Sequence, residues 1–349
     1  MNLNSILVEK IKESDIERIN IMEVCGTHTS TIESNGIRKL LYPKVRLISG
    51  PGCPVCVTSI AYIDSAIDIV DKHNAILCTF GDLIRVKGSS KSLMDKKEEG
   101  KNIKILYSPL DVIKIAEEYK DSEVVFLAVG FETTAPIIGL VINECYKRKI
   151  KNISFLCELK SMEPIIRMIL NKKNHNINGI ICPGHVASIV GSEYFKFITE
   201  EYNIPAAVVG FEALDILGAI DFLIDCNLKD VRFNNLYKSC VTLEGNLRAQ
   251  SIIKEIFTRG ETYWRGIGKI ENSGFFIKEK YRSYDAVKKF NLSIDYKNLK
   301  ETCICSEIIL GNKEPNQCNM FKKYCTPENP LGPCMVSREG SCLISYKYS

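Results

Sequence analysis

Short apolar runs at residues 19–24, 45–49, 75–79 and 103–106 are the length of strands and are bounded by glycine, proline or charged residues. Between them the apolar period changes. In 58–72, Ile60, Ile63, Ile67 and Val70 recur at three-to-four spacing, which places them on one face of a helix, and 111–119 reads the same way. The rhythm then restarts, with strands predicted at 123–129, 153–158, 179–182 and 206–209 and helices at 136–147, 163–171 and 191–200. Strands alternating with helices predict α/β units whose parallel sheets are covered on both faces. A charged amphipathic segment over 6–19 precedes this pattern. Beyond about 229 it gives way to a helix over 243–257, a Gly- and aromatic-rich stretch over 264–276, and a tail dense in Cys, Pro and Gly.

Single hydrophobic cores stop growing near 250–300 residues, so 349 residues predict two or three domains. The pattern divides them into an N-terminal helix in 1–20, expected to pack on the C-terminal domain, an α/β domain in 21–121, a second in 122–229, and an irregular domain in 230–349. The tetrapeptide Val-Gly-Phe-Glu occurs at 129–132 and again at 209–212, at a predicted strand end both times, through local duplication or by chance.

Composition narrows the function classes. Lys plus Arg exceed Asp plus Glu by only 4, too small a surplus over this length to hold phosphate backbones by charge, so no nucleic acid is expected as partner. No apolar run approaches the roughly 20 residues that span a bilayer, and residues 1–20 carry seven charges where a signal peptide would be apolar. The expected location is cytoplasmic, with no membrane partner. In that compartment fifteen cysteines are not a disulfide framework. Cys78, Cys145, Cys157, Cys182, Cys226 and Cys240 sit singly in apolar segments and are expected as small buried residues. Nine remain.

Six of those nine, Cys303, Cys305, Cys318, Cys325, Cys334 and Cys342, fall within forty residues among Pro315, Pro327, Pro330, Pro333 and several glycines. A turn-rich segment of this kind converges thiolates on zinc or on an iron-sulfur cluster. The spacing Cys303-x14-Cys318-x6-Cys325-x16-Cys342 lacks the tight Cys-x-x-Cys pairs of structural zinc sites and favours the cluster. A second signal, Gly50-Pro51-Gly52-Cys53-Pro54-Val55-Cys56, lies between a strand and a helix expected to start near Val57. It reads as a redox dithiol whose thiolate a helix N-terminus stabilises, or else as half of a metal site. A third is Cys25-Gly26-Thr27-His28, at the end of the first strand, where a soft thiolate suits iron and an imidazole three residues on ligates metal, donates a hydrogen bond or moves a proton. His185 lies in a similar loop. Asp82 and Arg85, and Glu132, Thr133 and Thr134, stand where two other strands end and are candidates for positioning a polar ligand or a partner peptide. Neither a Gly-x-x-x-x-Gly-Lys loop nor a Gly-x-Gly-x-x-Gly fingerprint opens either α/β unit.

The stretches around Cys25 and His28, Cys53 and Cys56, Asp82, Glu132 and His185, followed by Gly332-Pro333-Cys334-Met335-Val336-Ser337-Arg338-Glu339-Gly340-Ser341-Cys342, resemble the HypD family of hydrogenase maturation factors over essentially the whole chain. Lys87 departs from the family, which commonly has proline there. The resemblance implies two similar parallel-sheet α/β domains flanking a cleft, plus an irregular C-terminal iron-sulfur domain. It implies a 4Fe-4S cluster on Cys303, Cys318, Cys325 and Cys342, mononuclear iron of an Fe(CN)2CO unit at Cys25, and a dithiol/disulfide at Cys53 and Cys56. It also implies a HypC-type chaperone and a HypE-type cyanide donor as partners. Two rival readings remain at this stage. A thioredoxin-reductase-like disulfide reductase leaves Cys25 and His28 unexplained, and a non-catalytic scaffold makes the Cys53/Cys56 pair structural.

Overall fold

The computed structural model describes residues 3–173, 175–296 and 303–348. The α/β expectation holds: eleven described strands form two sheets in which parallel pairing dominates. They are β1 (Ile19–Glu23), β2 (Val45–Ser49), β3 (Ile76–Thr79), β4 (Ile103–Ile105), β5 (Val124–Gly130), β6 (Ile153–Lys160), β7 (Gly179–Pro183), β8 (Ala206–Val209), β9 (Phe233–Asn235), β10 (Phe257–Trp264) and β11 (Gly268–Ile277). The first eight coincide with the predicted runs to within two residues. Among the helices, 191–200 resolves instead into a helix at Gly184–Val190, a 3-10 turn at Glu193–Phe195 and a short helix at Phe197–Tyr202.

The strands do not sort by position in the chain. One sheet has the order β2-β1-β7-β8-β9, and the other β10-β11-β6-β5-β3-β4. The predicted boundary at 121/122 therefore separates neither sheet from the other: the chain leaves the first sheet through the helix Ile60–His73 and returns through the helix Met162–Leu170. A hydrophobic period reports that a strand is buried but not which neighbour it pairs with, so both crossovers are silent in the pattern. The third domain is corrected as well, because β10 and β11 form a hairpin that joins the second sheet through Gly274↔Lys160 and Phe275↔Leu159. The N-terminal helix Leu3–Glu13 rests on the helix Ala213–Leu228, with Lys10 Nζ 2.6 Å from Asp221, rather than on the C-terminal segment.

Alternation along the strands places the cores. In the second sheet Val125, Leu127 and Val129 face inward while Val124, Phe126 and Ala128 face the outer helices. In the first, Met22 and Ile180 face inward and Ile21 and Ile181 outward. Both inner faces, together with Cys305, Cys325, Cys334 and Cys342, belong to one shared core. This common core brings the cysteine-rich tail against the carboxyl ends of strands from the first sheet.

Candidate functional site

Glu23 ends β1, and Cys25 is the N-cap of the helix Gly26–Ser34 with extended backbone, so His28 falls on the first turn of that helix. β1 pairs with β7 in parallel, which sets the helix Gly184–Val190 beside it and brings His185 Nδ1 to 3.7 Å from Cys25 Sγ. Phe211, just past β8, packs against both imidazoles, with ring centroids 5.0 Å from His28 and 5.4 Å from His185. His28 Nε2 lies 2.8 Å from the Gly210 carbonyl, which only accepts, so the proton sits on Nε2. Its Nδ1 is buried with no partner among the described residues. Burial lowers both histidines to about 4, so each ring is neutral near pH 7.

The Glu23 carboxylate accepts from the Cys25 amide at 2.9 Å and from the Thr29 hydroxyl. Burial pushes it up to about 8 against those hydrogen bonds. Burial, assisted by the nearby Glu23 and Glu339, pushes the Cys25 thiol up to about 12. At neutral pH the Cys25 thiol therefore keeps its proton.

β2 runs beside β1 with Ser49 opposite Glu23, so the glycine-rich loop that follows lands on Cys25. Gly50 donates its amide to the Glu23 carbonyl at 2.7 Å. A Cβ on Gly52 would lie 2.3 Å from the Cys25 nitrogen, so only glycine permits this approach. Cys53 Sγ accepts from the Cys56 amide at 3.2 Å. The following helix begins at Ile60, capped by Ser59, four residues past Cys56. The expected lowering of the pair by a helix N-terminus fails for Cys56, whose thiol burial pushes well up.

In the tail, Cys303, Cys305, Cys318, Cys325 and Cys342 line one tight apolar space of about 20 Å³ with Ile308, Met320, Phe321 and Leu331. Among the described residues no three His, Cys, Asp or Glu side chains converge as ligands of a single ion. Five thiols around one space, with no charged side chain in its wall, would fit a cluster as donor set. Cys303 and Cys305 stand 3.0 Å apart, sulfur to sulfur. Cys334, fully buried, lies outside that wall and neighbours both Cys305 and Cys56. A run of sulfur atoms thus joins the tail to the Cys53/Cys56 loop.

The other candidates divide. Asp82 accepts from Ser337 Oγ at 3.2 Å and the Arg338 amide at 3.4 Å, and Arg85 donates to the Pro327 carbonyl, so this loop holds the tail in place. Glu132 accepts from Ser161 Oγ, the Met162 amide and Tyr194 Oη at 2.7 to 2.9 Å and ties the second sheet to the turn at 193–195. Thr134 stands at the N-cap position of the helix Ala135–Arg148 without a side-chain capping bond, and Thr133 is half-buried beside it. Cys240, expected to be buried, is exposed, and Cys157 is half-buried.

Several participants went unread in the sequence. Glu23 was legible only as a charge closing an apolar strand, and Glu339 only as an acid within the cysteine tail. The latter packs on Gly26, whose added Cβ would meet the Glu339 Cβ at 2.4 Å. Phe211 stood only within the repeated Val-Gly-Phe-Glu tetrapeptide, and nothing marked Cys334 as the link between the two sulfur sites.

Residues 2–349 match the family described as Hydrogenase formation hypA family, HypD. The hydrogenase maturation factor HypD of Cupriavidus necator is 38% identical over 341 residues, 95% of this chain and 90% of that protein. That of Azotobacter vinelandii is 38% identical over 345 residues, 96% and 91% respectively. That of Escherichia coli is 36% identical over 332 residues, 95% and 89%. With a match of this length and its motif cysteines gathered in one core, the chain belongs to the HypD family.

Proposed function

We propose that this protein matures [NiFe] hydrogenases as scaffold and thiol redox catalyst for the Fe(CN)2CO unit, working in the cytoplasm with a HypC-type chaperone and a HypE-type cyanide donor. Hydrogenase maturation rests on the family. The finer reading rests on one observation, the row of neighbouring buried thiols Cys56, Cys334 and Cys305 that runs from the dithiol loop beside Cys25 to the cysteine-lined space.

Iron is the cargo, bound by the Cys25 thiolate once its proton leaves, with His185 Nδ1, 3.7 Å from that sulfur, as proton acceptor or further ligand. Freeing cyanide from a thiocyanate, R–S–C≡N, takes two electrons: the carbon-sulfur bond breaks, R–S⁻ departs and cyanide passes to iron. Cys53 and Cys56 supply both electrons, lose two protons and form a disulfide. Cys334, next to Cys56 and Cys305, would attack that disulfide as its thiolate, leaving a Cys334–Cys56 mixed disulfide that Cys305 resolves. The Cys334–Cys305 disulfide so formed then takes two electrons and two protons to return to thiols. Cys303, Cys318, Cys325 and Cys342 would hold a 4Fe-4S cluster, which when bound supplies electrons one at a time.

The test is to replace Cys53 or Cys56 with Ala and to measure both binding of the HypC-type chaperone and infrared bands of iron-bound cyanide. Chaperone binding should survive while the cyanide bands disappear. Cyanide loading that survives in both variants reduces the pair to a structural role and the protein to a carrier.

A further inference from the structure

On the side of the second sheet away from the cysteines, a groove of about 570 Å³ is lined by Lys149, Lys151, Arg282, Lys288 and Lys289, with Tyr146 on its rim and no carboxylate in its wall. Glu279 serves both Arg282 and Lys288, at 2.9 and 2.8 Å, and Glu123 serves Lys289. The ammonium groups of Lys149 and Lys151 pair with no carboxylate among the described residues, and both side chains are exposed. Five cations thus answer to two acids on one face of a chain whose total surplus is only 4. Such local excess is a field that attracts anions.

The geometry indicates the kind of anion. The cations come from the end of the helix Ala135–Arg148, the residues before β6, and the segment 282–289 that follows β11, so the charge is spread rather than focused. The helix presents its C-terminal end here, so it offers no set of free backbone amides to hold a compact phosphate. Lysines and a half-exposed tyrosine in an open groove suit an extended chain bearing several carboxylates. The groove also lies at the amino ends of β5 and β6, whereas Glu132 follows the carboxyl end of β5. A partner seated here leaves the thiol face uncovered.

We propose that this groove docks an acidic segment of a partner protein, independently of the cysteine chemistry. The test uses the full chain and a fluorescein-labelled peptide of about ten residues rich in Asp and Glu, read by fluorescence anisotropy at low salt, where charges about 10 Å apart still interact. Wild type should bind, and Lys149→Glu with Lys151→Glu should weaken binding about tenfold or more. Lys172→Glu with Lys347→Glu, the same charge change at two other exposed sites, should leave it unaltered. Lys151→Glu alone, outside the helix, should weaken binding in the same direction if the pair proves unstable. Absence of peptide binding by wild type, or equal loss in both pairs, overturns the proposal. So does binding of ATP or a single-stranded oligonucleotide at this groove in place of the peptide.

Discussion

Replacing Glu23 with Gln should make the protein more stable at alkaline pH, although the change removes an acid beside the Cys25 thiol. Glu23 is fully buried, and its carboxyl is pushed from 4.5 up to about 8, chiefly by burial. Between those values the unfolded chain has released the proton and the folded protein has not. Folding therefore takes up a proton, and stability falls as pH rises through the window. Each pH unit corresponds to about 1.4 kcal/mol, so wild type should lose roughly 5 kcal/mol at most between pH 4.5 and 8, with no further loss above it. Gln cannot titrate, and it keeps one oxygen to accept from the Cys25 amide or Thr29. Urea unfolding midpoints measured from about pH 5 to pH 9.5 should diverge steadily up to about pH 8 and then run parallel. Curves that stay parallel across the whole range would refute the reasoning, because Glu23 would then ionise equally in both states.

Gly52→Ala forces a methyl into the Cys25 backbone, so it should cost about 1–3 kcal/mol by urea unfolding and weaken iron(II) binding, while the nearby Val55→Ala should spare the iron site. Cys334→Ala should keep the iron, sulfide and visible absorbance of the cluster but slow reduction of the Cys53/Cys56 disulfide; loss of the absorbance would place Cys334 among the ligands. Lys160 and Glu158 form a buried ion pair at 2.8 Å, so Lys160→Met should cost about 3–5 kcal/mol and Lys160→Met with Glu158→Gln distinctly less. Single and double variants of equal stability would remove that argument.

Much of this protein was readable along the chain. The strand runs through Val209 and most helices follow from apolar period alone, because period depends on backbone geometry that each segment carries by itself. The cysteines were marked by spacing, and Gly50 and Gly52 by the turn they permit. A local pattern cannot say which strands pair. β2 and β3 read alike in sequence and lie in different sheets, and the hairpin β10–β11 looked irregular because exposed polar residues such as Arg259, Glu261, Lys269 and Glu271 interrupt its apolar positions.

By itself, then, the sequence determined the family, the element types and the sulfur inventory, all of which depend on residue identity and near-neighbour spacing. Only the tertiary structure decided that the sheets interleave, that Asp82 and Arg85 clamp the tail, and that Cys334 lies between Cys56 and Cys305. It also decided that the Cys25 and Cys56 thiols and the Glu23 carboxyl hold their protons, since desolvation depends on everything packed around a group and no short stretch of chain encodes it.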